Sequence, residues 1–240
     1  MHITRLFIDE DLEVGQLIDL PEKSAHHVLH VLRKKPRDEL VLFNGRGGEY
    51  PAIISNIKRS EVTVSILGYD GTDRESPLQI TLGLSVLKRD AMNTSLQKAT
   101  ELGVTKIIPV ETTNTSVSRK HIEKRESQWQ QVIESACEQS GRTQLPILED
   151  IHSFSDFLCV ENESLKLIPS PIAETALGDI ESTAKSICIV IGPEGGFTDD
   201  EVADAIRNDY QPIAIGERIL RAETVPAVFL SLLQYRWGDF

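Results

Sequence analysis

The sequence ICIVIGPEGGFTDDE, residues 187–201, decides the fold class. Its apolar start predicts a buried strand that stops at Gly192, and a tight loop of glycine and proline follows. Thr198 is placed to cap a helix whose first turn is acidic. A strand that leads through a short loop into a helix is typical of α/β proteins, whose ligands lie beyond the carboxyl ends of strands. We therefore expect a ligand at this loop.

The sequence on both sides of this stretch alternates between strand and helix patterns. The predicted strands lie at 78–87, 106–110, 165–168, 187–191 and 213–215, and the predicted helices at 90–102, 122–140, 199–207 and 224–233. This alternation predicts a parallel sheet covered by helices.

The first part of the chain has a different pattern. Short segments of alternating apolar and polar residues predict about five strands, interrupted by one helical pattern over residues 21–34. The polar segment GTDRESP, residues 71–77, has the chemistry of a linker. We therefore predict two domains: a small β-barrel at 1–72 and an α/β domain at 73–240.

The net charge of −12 argues against a polyanionic partner, but the charge is unevenly distributed. Between Lys23 and Arg59, eight Lys and Arg face only three acidic residues, a local excess of five positive charges. A basic face of this kind can bind RNA because phosphate contacts are local. On charge alone, an ordinary solvated face is equally compatible.

Composition gives the expected compartment. The charged N-terminal segment lacks a signal-peptide pattern, and no apolar window is long enough to cross a bilayer. Cys137, Cys159 and Cys188 are odd in number and far apart, which favours core thiols over metal ligands or nucleophiles. We expect a cytoplasmic protein with no membrane segment and no metal.

The glycine loop also restricts the class of ligand. It lacks the lysine of a phosphate-binding loop, and Glu194 with the acidic turn behind it would repel phosphate. This disfavours a nucleotide-hydrolysing enzyme. A neutral or cationic ligand fits better, and the sulfonium of S-adenosylmethionine is such a ligand; a turn without any ligand is the alternative.

A second loop, residues 215–224, brings charged side chains to the end of another strand. Arg218, Arg221, Glu223 and Thr224 lie within seven residues, ahead of an apolar helix with Pro226 in its first turn. Such a cluster is more typical of the rim of an active site than of a solvated face.

Two further groups of residues could contact RNA. Lys88 and Arg89 precede the helix at 90–102, where spacing alone favours ordinary surface over an RNA contact for most of the polar residues. Arg142 follows the helix at 122–140 and could contact phosphate, a partner subunit or a nearby carboxylate.

Taken together, these stretches resemble the RsmE family of the SPOUT superfamily, which methylates N3 of a uridine in small-subunit ribosomal RNA. The matching motifs cover essentially the whole chain: RLF (5–7), HHVLHVLR (26–33), DRESP (73–77), QKATELGV (97–104), ESACEQSGR (134–142), IGPEGGF (191–197), GERILRAET (216–224) and LLQYRWGDF (232–240).

The resemblance implies a PUA-like RNA-binding barrel, followed by a SPOUT domain that is threaded into a trefoil knot. It also implies a homodimer, with S-adenosylmethionine bound in the knot and the small ribosomal subunit as substrate. The implied cofactor residues are Leu167, Ile168, Pro169, Ile191, Gly192, Pro193, Glu194, Gly195, Gly196, Ile215, Gly216, Arg218, Ile219, Leu220 and Thr224. The candidate RNA contacts are Arg5, His26, His27, Arg33, Lys34, Lys88, Arg89 and Arg142.

The candidate catalytic residues are Arg221 and Glu223. The N3–H of uracil must lose its proton, and a cation beside O2 or O4 would stabilise the resulting anion, a role that we assign to Arg221. Glu223 could orient Arg221, accept the proton or form a purely structural ion pair. Two other functions stay open: a SPOUT enzyme acting on transfer RNA or a ribose 2′-hydroxyl, and a non-catalytic RNA-binding factor in ribosome assembly.

Overall fold

The computed structural model describes residues 3–117, 122, 125–160 and 165–240. The chain divides into two units by its internal contacts. The first unit contains Met1–Glu75 together with Cys137–Leu145, and the second contains Ser76–Ala136 and Pro146–Phe240. Residues 137–145, which the sequence placed in the second domain, thus pack with the first unit.

The first unit is built on one mixed sheet. Its elements are β1 (Thr4–Phe7), β2 (Leu17–Asp19), α1 (Glu22–His26) with a π-helical turn (His27–Val31), β3 (Glu39–Phe43), β4 (Tyr50–Lys58) and β5 (Glu61–Ile66). The strand order is β1-β3-β4-β5-β2, with β1 and β3 parallel and the other pairs antiparallel. The described strands leave β1 and β2 at two open edges, so the prediction of a closed barrel is wrong.

The helix predicted over residues 21–34 is shorter than expected. It continues from α1 through the π-helical turn and ends at Val31. Arg33 then adopts a left-handed backbone with a φ of +52°, and Pro36 follows. A left-handed residue cannot continue a right-handed helix, and a proline disfavours helical geometry at the residue before it.

The second unit contains a seven-stranded sheet and five helices among its described residues. Its elements are β6 (Gln79–Ser85), α2 (Arg89–Glu101), β7 (Lys106–Glu111), α3 (Glu126–Ser140, whose last residues belong to the first unit), β8 (Ile147–Leu148), β9 (His152–Ser153), α4 (Phe154–Val160), β10 (Leu165–Pro169), a 3₁₀ turn (Leu177–Asp179), β11 (Ser186–Ile191), α5 (Asp199–Arg207), β12 (Gln211–Ile213) and α6 (Thr224–Trp237). The strand order is β12-β10-β11-β6-β7-β8, with β9 beside β7, and every pair is parallel.

The parallel sheet predicted from the sequence is therefore confirmed. The short elements β8, β9 and α4 were not predicted, and the strand expected at 213–215 ends at Ile213. The helix predicted over 122–140 is described as α3 from Glu126, and residues 123–124 of that prediction lie outside the described residues.

Strand β11 shows why a continuous apolar run forms the centre of this sheet. Ile187, Ile189 and Ile191 pack into one hydrophobic cluster with α2 and α6. Cys188 and Val190 point to the opposite face and pack into a second cluster with α4 and α5. Because both faces are covered, the buried residues of the strand, Ile187 to Ile191, are all apolar. No described helix is both long and apolar enough to cross a membrane.

Candidate active site

A cavity of about 1020 Å³ lies in the second unit, where β10 and β11 end. Its lining comes mainly from four stretches: 88–91, 169–172, 191–197 and 215–223 except Glu217. The position agrees with the rule that ligands of parallel sheets bind beyond the carboxyl ends of the strands. The two loops that the sequence singled out therefore share one cavity.

The first of these loops, residues 192–197, is a tight turn. The N–H of Gly196 donates to the carbonyl of Pro193 at 2.9 Å, and Gly196 has a φ of +70°. A Cβ on Gly192 would lie 3.1 Å from the ring of Phe197. Glycine is therefore required at Gly196 by backbone conformation and favoured at Gly192 by the close approach of an aromatic ring.

Glu194 connects this loop to the start of α2. Its Oε1 accepts a hydrogen bond from the backbone N–H of Lys88 at 3.1 Å. Lys88 is the residue immediately before α2, where backbone N–H groups lack partners within the helix. The carboxylate thus fixes the position of Lys88 and Arg89, two exposed cations at the cavity.

The second loop presents an exposed guanidinium. Arg221 has a side chain 86% exposed, and its Nη1 lies 3.9 Å from Oε1 of Glu223, which is mostly buried. The carbonyl of Arg221 accepts the backbone N–H groups of Thr224 and Val225, which starts α6. The backbone of Arg221 is therefore fixed while its charged end remains accessible to a substrate.

A third stretch, Ser170 to Ile172, lines the cavity but was missed by the sequence analysis. The N–H of Ser170 donates to the carbonyl of Ile213 at 3.0 Å, which connects the end of β10 to the end of β12. Ile172 is 85% exposed, as is Ile219 at 88%. Residues 170–172 directly follow the parallel strand β10. The rule that ligands bind beyond the carboxyl ends of such strands, already applied to β11, could therefore have identified them.

Three predicted cofactor residues do not line the cavity. Leu167 and Ile168 lie in β10 with fully buried side chains, one in each hydrophobic cluster. Thr224 is the first residue of α6 and is exposed, and it does not line the cavity. The other twelve predicted cofactor residues line the cavity, together with Arg221 and Glu223.

The cavity fits S-adenosylmethionine in size and chemistry. Pockets for ligands of this size commonly enclose about 300–1,000 Å³. Ile191, Ile215, Leu220 and Val225 offer apolar surface for a purine ring, and the glycine loops allow the backbone to approach. The lining has four acidic and four basic side chains, so it lacks the positive excess that is expected of a phosphate site.

The predicted RNA contacts of the first unit fall into two groups. His26, His27 and Arg33 are exposed, and Lys34 is half-buried with its Nζ donating to the carbonyl of Glu39 at 3.3 Å. The rings of His26 and His30 lie 4.6 Å apart. These side chains remain candidates for RNA binding.

Arg5 and Arg142 form the second group, and the structure gives them another role. Arg5 donates to Glu49 at 2.6 Å and to the carbonyl of Arg142 at 2.7 Å, and its guanidinium lies 4.8 Å from the ring centre of Phe43. Arg142 donates from Nε to Glu75 at 2.9 Å and from Nη2 at 2.7 Å. Both guanidinium groups are buried by these partners, which makes an RNA contact implausible and supports the structural ion pair.

Two perturbed groups lie near the end of α3. Burial raises the pKa of the Cys137 thiol to about 12, so this thiol stays protonated and is a poor nucleophile. Burial also raises the pKa of Glu138, although a hydrogen bond from the N–H of Phe7 at 3.0 Å opposes the shift. Within the described ranges, no three His, Cys, Asp or Glu side chains are grouped to hold a metal ion.

Two family models match the chain. Residues 74–234 match a model described as an RNA methyltransferase domain. Residues 20–67 match a model described as an RNA methyltransferase PUA domain. Together they cover both units and include every stretch that lines the cavity.

Relatives and solved structures agree with these matches. The chain is 32% identical to ribosomal RNA small subunit methyltransferase E of Buchnera aphidicola, over 99% of this chain and 98% of the relative. It is 34% identical to the Rickettsia conorii protein of the same name, over 98% and 96%. A crystal structure of that enzyme from Neisseria gonorrhoeae, bound to S-adenosylmethionine, is 39% identical over all of both chains, with a TM-score of 0.93. A methyltransferase from Legionella pneumophila, solved with the same cofactor, is 35% identical over all of both chains, with a TM-score of 0.96.

Proposed function

Because the chain belongs to the RsmE family of S-adenosylmethionine-dependent ribosomal RNA methyltransferases, we propose that it methylates N3 of a uridine in 16S ribosomal RNA of the small subunit. One observation carries the proposal. Two glycine-bearing loops enclose a single cavity at the carboxyl end of a parallel sheet, and an exposed guanidinium lies at that cavity.

In this proposal, residues 191–197 and 215–220 hold the cofactor, with Pro169 beside them. When bound, S-adenosylmethionine supplies an electrophilic methyl group on a positively charged sulfur. The protein contributes mainly by position, because an in-line displacement needs the acceptor, the methyl group and the leaving sulfur to be aligned.

Arg221 stabilises the acceptor base. N3 of uracil loses its proton as it attacks the methyl carbon, and negative charge spreads to O2 and O4. The exposed guanidinium of Arg221 can donate to one of these oxygens. Glu223 lies 3.9 Å from Arg221, too far for a strong hydrogen bond, and its carboxylate lines the cavity. In this proposal its charge attracts the guanidinium toward the cavity, and the same carboxylate is the candidate acceptor of the N3 proton.

RNA binding is assigned to basic groups of both proposed domains, 1–72 and 73–240, which are exposed except for the half-buried Lys34. His26, His27, Arg33 and Lys34 supply the contacts of the first domain. Lys88 and Arg89 supply those of the second, next to the cavity. Their support is exposure and charge, since phosphate contacts need accessible cations.

Three finer features complete the proposal: a trefoil knot around the cofactor loops, a homodimer and a cytoplasmic location. Support for the knot is the family resemblance together with the position of β11 between β6 and β10. Support for the dimer is the exposed apolar surface of Ile219, Leu232 and Tyr235. A cytoplasmic location follows from the ribosomal substrate. Sedimentation equilibrium would test the dimer directly.

The deciding experiment incubates the protein with labelled S-adenosylmethionine and small ribosomal subunits that lack the modification. We expect label in 16S RNA, located on N3 of one uridine by mass spectrometry of the digested RNA. Label in transfer RNA or on a ribose 2′-hydroxyl would support the other SPOUT activities instead. A protein that binds the subunit but gives no calorimetric signal with S-adenosylmethionine would be a non-catalytic assembly factor.

A further inference from the structure

The turn that follows β7, residues 112–115, contacts the glycine loop although it does not line the cavity. The side-chain amide of Asn114 donates to the carbonyl of Gly196 at 3.0 Å and to that of Gly195 at 3.3 Å. Both glycines line the cavity, whereas Asn114 does not. Asn114 belongs to none of the family motifs, although its turn directly follows the parallel strand β7.

The turn itself is held in place from two sides. Its backbone closes on itself, since the N–H of Thr115 donates to the carbonyl of Thr112 at 3.0 Å. The N–H of Thr113 donates to Oε1 of Glu201 at 2.8 Å, and the other oxygen of that carboxylate accepts from the N–H of Thr198 at 2.9 Å. Glu201 is almost fully buried, so Asn114 extends from a turn that is anchored to the first turn of α5.

The hydrogen bonds of Asn114 determine which way the loop peptides face. The described peptide bonds are trans, and in a trans peptide the N–H points opposite to the carbonyl. Holding the carbonyl of Gly196 toward Asn114 therefore directs the N–H of Phe197 away from it. Holding the carbonyl of Gly195 in the same way directs the N–H of Gly196 back toward Pro193, where its hydrogen bond closes the turn.

The same contact explains why residue 195 is a glycine. A Cβ at this position would lie 3.0 Å from the Cβ of Asn114, which is closer than side chains normally approach. The absence of a side chain at Gly195 thus lets Asn114 reach both carbonyls, so the hydrogen bonds of Asn114 depend on a glycine at position 195.

We propose that Asn114 is a positioning residue for S-adenosylmethionine, which acts by holding the Gly195 and Gly196 peptides in the orientation that the cofactor requires. This inference rests on the proposed function and extends it to a residue outside the cavity. Asn114 does not touch the substrate, so it affects the reaction through the loop alone.

Two substitutions distinguish whether Asn114 orients the loop through its hydrogen bonds or only fills space. Asn114→Ala removes the donor, and we expect the Kd for S-adenosylmethionine to rise about five- to tenfold, because two side-chain hydrogen bonds are lost from a partly exposed site. Asn114→Asp has the same shape but places oxygens against two carbonyl oxygens. We expect it to bind the cofactor more weakly than Asn114→Ala, whereas a residue that only fills space would tolerate this isosteric change.

The matched control is Asn208→Ala. Asn208 donates its side-chain amide to the carbonyl of Asp204 at 2.9 Å, at the far end of α5, and it does not line the cavity. This control loses the same kind of hydrogen bond and should keep the Kd of the wild type.

Calorimetry with S-adenosylmethionine, methylation kinetics on unmodified small subunits and thermal melting are measured for all four proteins. The expected result is a raised Kd and KM for the cofactor in both Asn114 variants, with an unchanged KM for the ribosomal subunit. If the substitutions also lower the melting temperature, the comparison of the two variants still tests the proposal, because Asn114→Asp should bind the cofactor more weakly than Asn114→Ala. The role of Asn114 would be overturned if Asn114→Asp bound S-adenosylmethionine with the wild-type Kd. It would also be overturned if the Asn114 variants lost as much affinity for the ribosomal subunit as for the cofactor. A wild-type protein that does not bind S-adenosylmethionine would instead remove the proposed function.

Discussion

Arg5 in the first unit and Arg221 in the second show two opposite uses of the same side chain. The side chain of Arg5 is 8% exposed and paired with an equally buried Glu49, whereas that of Arg221 is 86% exposed and only loosely paired with Glu223. The two terminal nitrogens of the buried Arg5 guanidinium donate to Glu49 and to the carbonyl of Arg142, so this group stabilises a particular packing. An exposed one at a cavity can bind a substrate. Burial and partners, more than residue type, separate structural from functional arginines.

The largest expected effect tests the buried side of this comparison. Glu49 accepts hydrogen bonds from Arg5 and Arg74, so Glu49→Ala leaves the buried Arg5 without its counter-charge. We expect a loss of about 3–5 kcal/mol in the free energy of unfolding of the first unit, measured by urea denaturation.

Asp11→Ala is the control for Glu49→Ala. Asp11 pairs with Arg46 on the surface of the same unit, where both side chains are largely exposed. Exposed pairs contribute about 0–1 kcal/mol, so this variant should unfold close to wild type. Equal losses in the two variants would mean that burial does not distinguish these ion pairs.

The next largest effect tests the exposed arginine of this comparison, Arg221. Arg221→Ala should lower the rate of methyl transfer by about 10²–10³-fold, because one donor to a developing anion is removed. The melting temperature should stay unchanged, since the side chain makes few contacts. The measurement is single-turnover transfer of labelled methyl groups to unmodified small subunits.

Arg207→Ala serves as the control for Arg221→Ala, since Arg207 is an exposed arginine of α5 paired with Asp204 and does not line the cavity. It should retain the wild-type rate. Retained turnover in Arg221→Ala would remove Arg221 from the mechanism.

A smaller effect concerns a buried carboxylate that is held by backbone groups. Glu201 accepts hydrogen bonds from the N–H groups of Thr113 and Thr198, and the hydroxyl of Thr198 accepts from the N–H of Glu201 at 3.2 Å. Thr198→Ala removes this cap of α5 and should cost about 1 kcal/mol of unfolding free energy. Thr94→Ala, at an exposed position of α2, should be close to neutral; a Thr198→Ala variant as stable as that control would show that the cap is dispensable.

The smallest effect is a pH dependence at Glu138. Its pKa in the folded protein is raised above the ordinary value of 4.5, chiefly by burial. The unfolded chain therefore releases this proton first, and the group lowers stability as the pH rises from about 4.5 through its folded pKa. Glu138→Gln can still accept the N–H of Phe7 and should remove this decline.

Denaturation of wild type and Glu138→Gln across the pH range tests the sign. The variant should gain stability relative to wild type as the pH rises, and the difference should disappear in acid. The prediction would be contradicted if the wild-type protein became more stable relative to Glu138→Gln as the pH rises.

Local patterns predicted much of the fold and of the candidate site. The apolar run of β11 identified the centre of a parallel sheet, because the residues of a strand covered on both faces are mostly apolar. The rule that ligands bind beyond strand ends located both glycine loops. Leu167 and Ile168, which the family resemblance implied, do not line the cavity, because a match of position does not give the direction of each side chain.

Other features depended on contacts between distant residues. The open edges of the first sheet follow from which strands pair, and strand pairing is not contained in a pattern of alternation. The role of Arg142 followed from Glu75, a linker residue 67 positions away. Asn114 has no motif, and its importance appears only when its turn is packed against the glycine loop.

The sequence by itself determined the family, the alternation of the longer strands and helices in the second unit and the chemical character of the ligand, because these are properties of neighbouring residues and of their charge. Only the tertiary structure decided which arginines are buried, which residues after β10 line the cavity and how the glycine loop is held. Those features depend on the distance between groups far apart in the chain, and folding alone sets that distance.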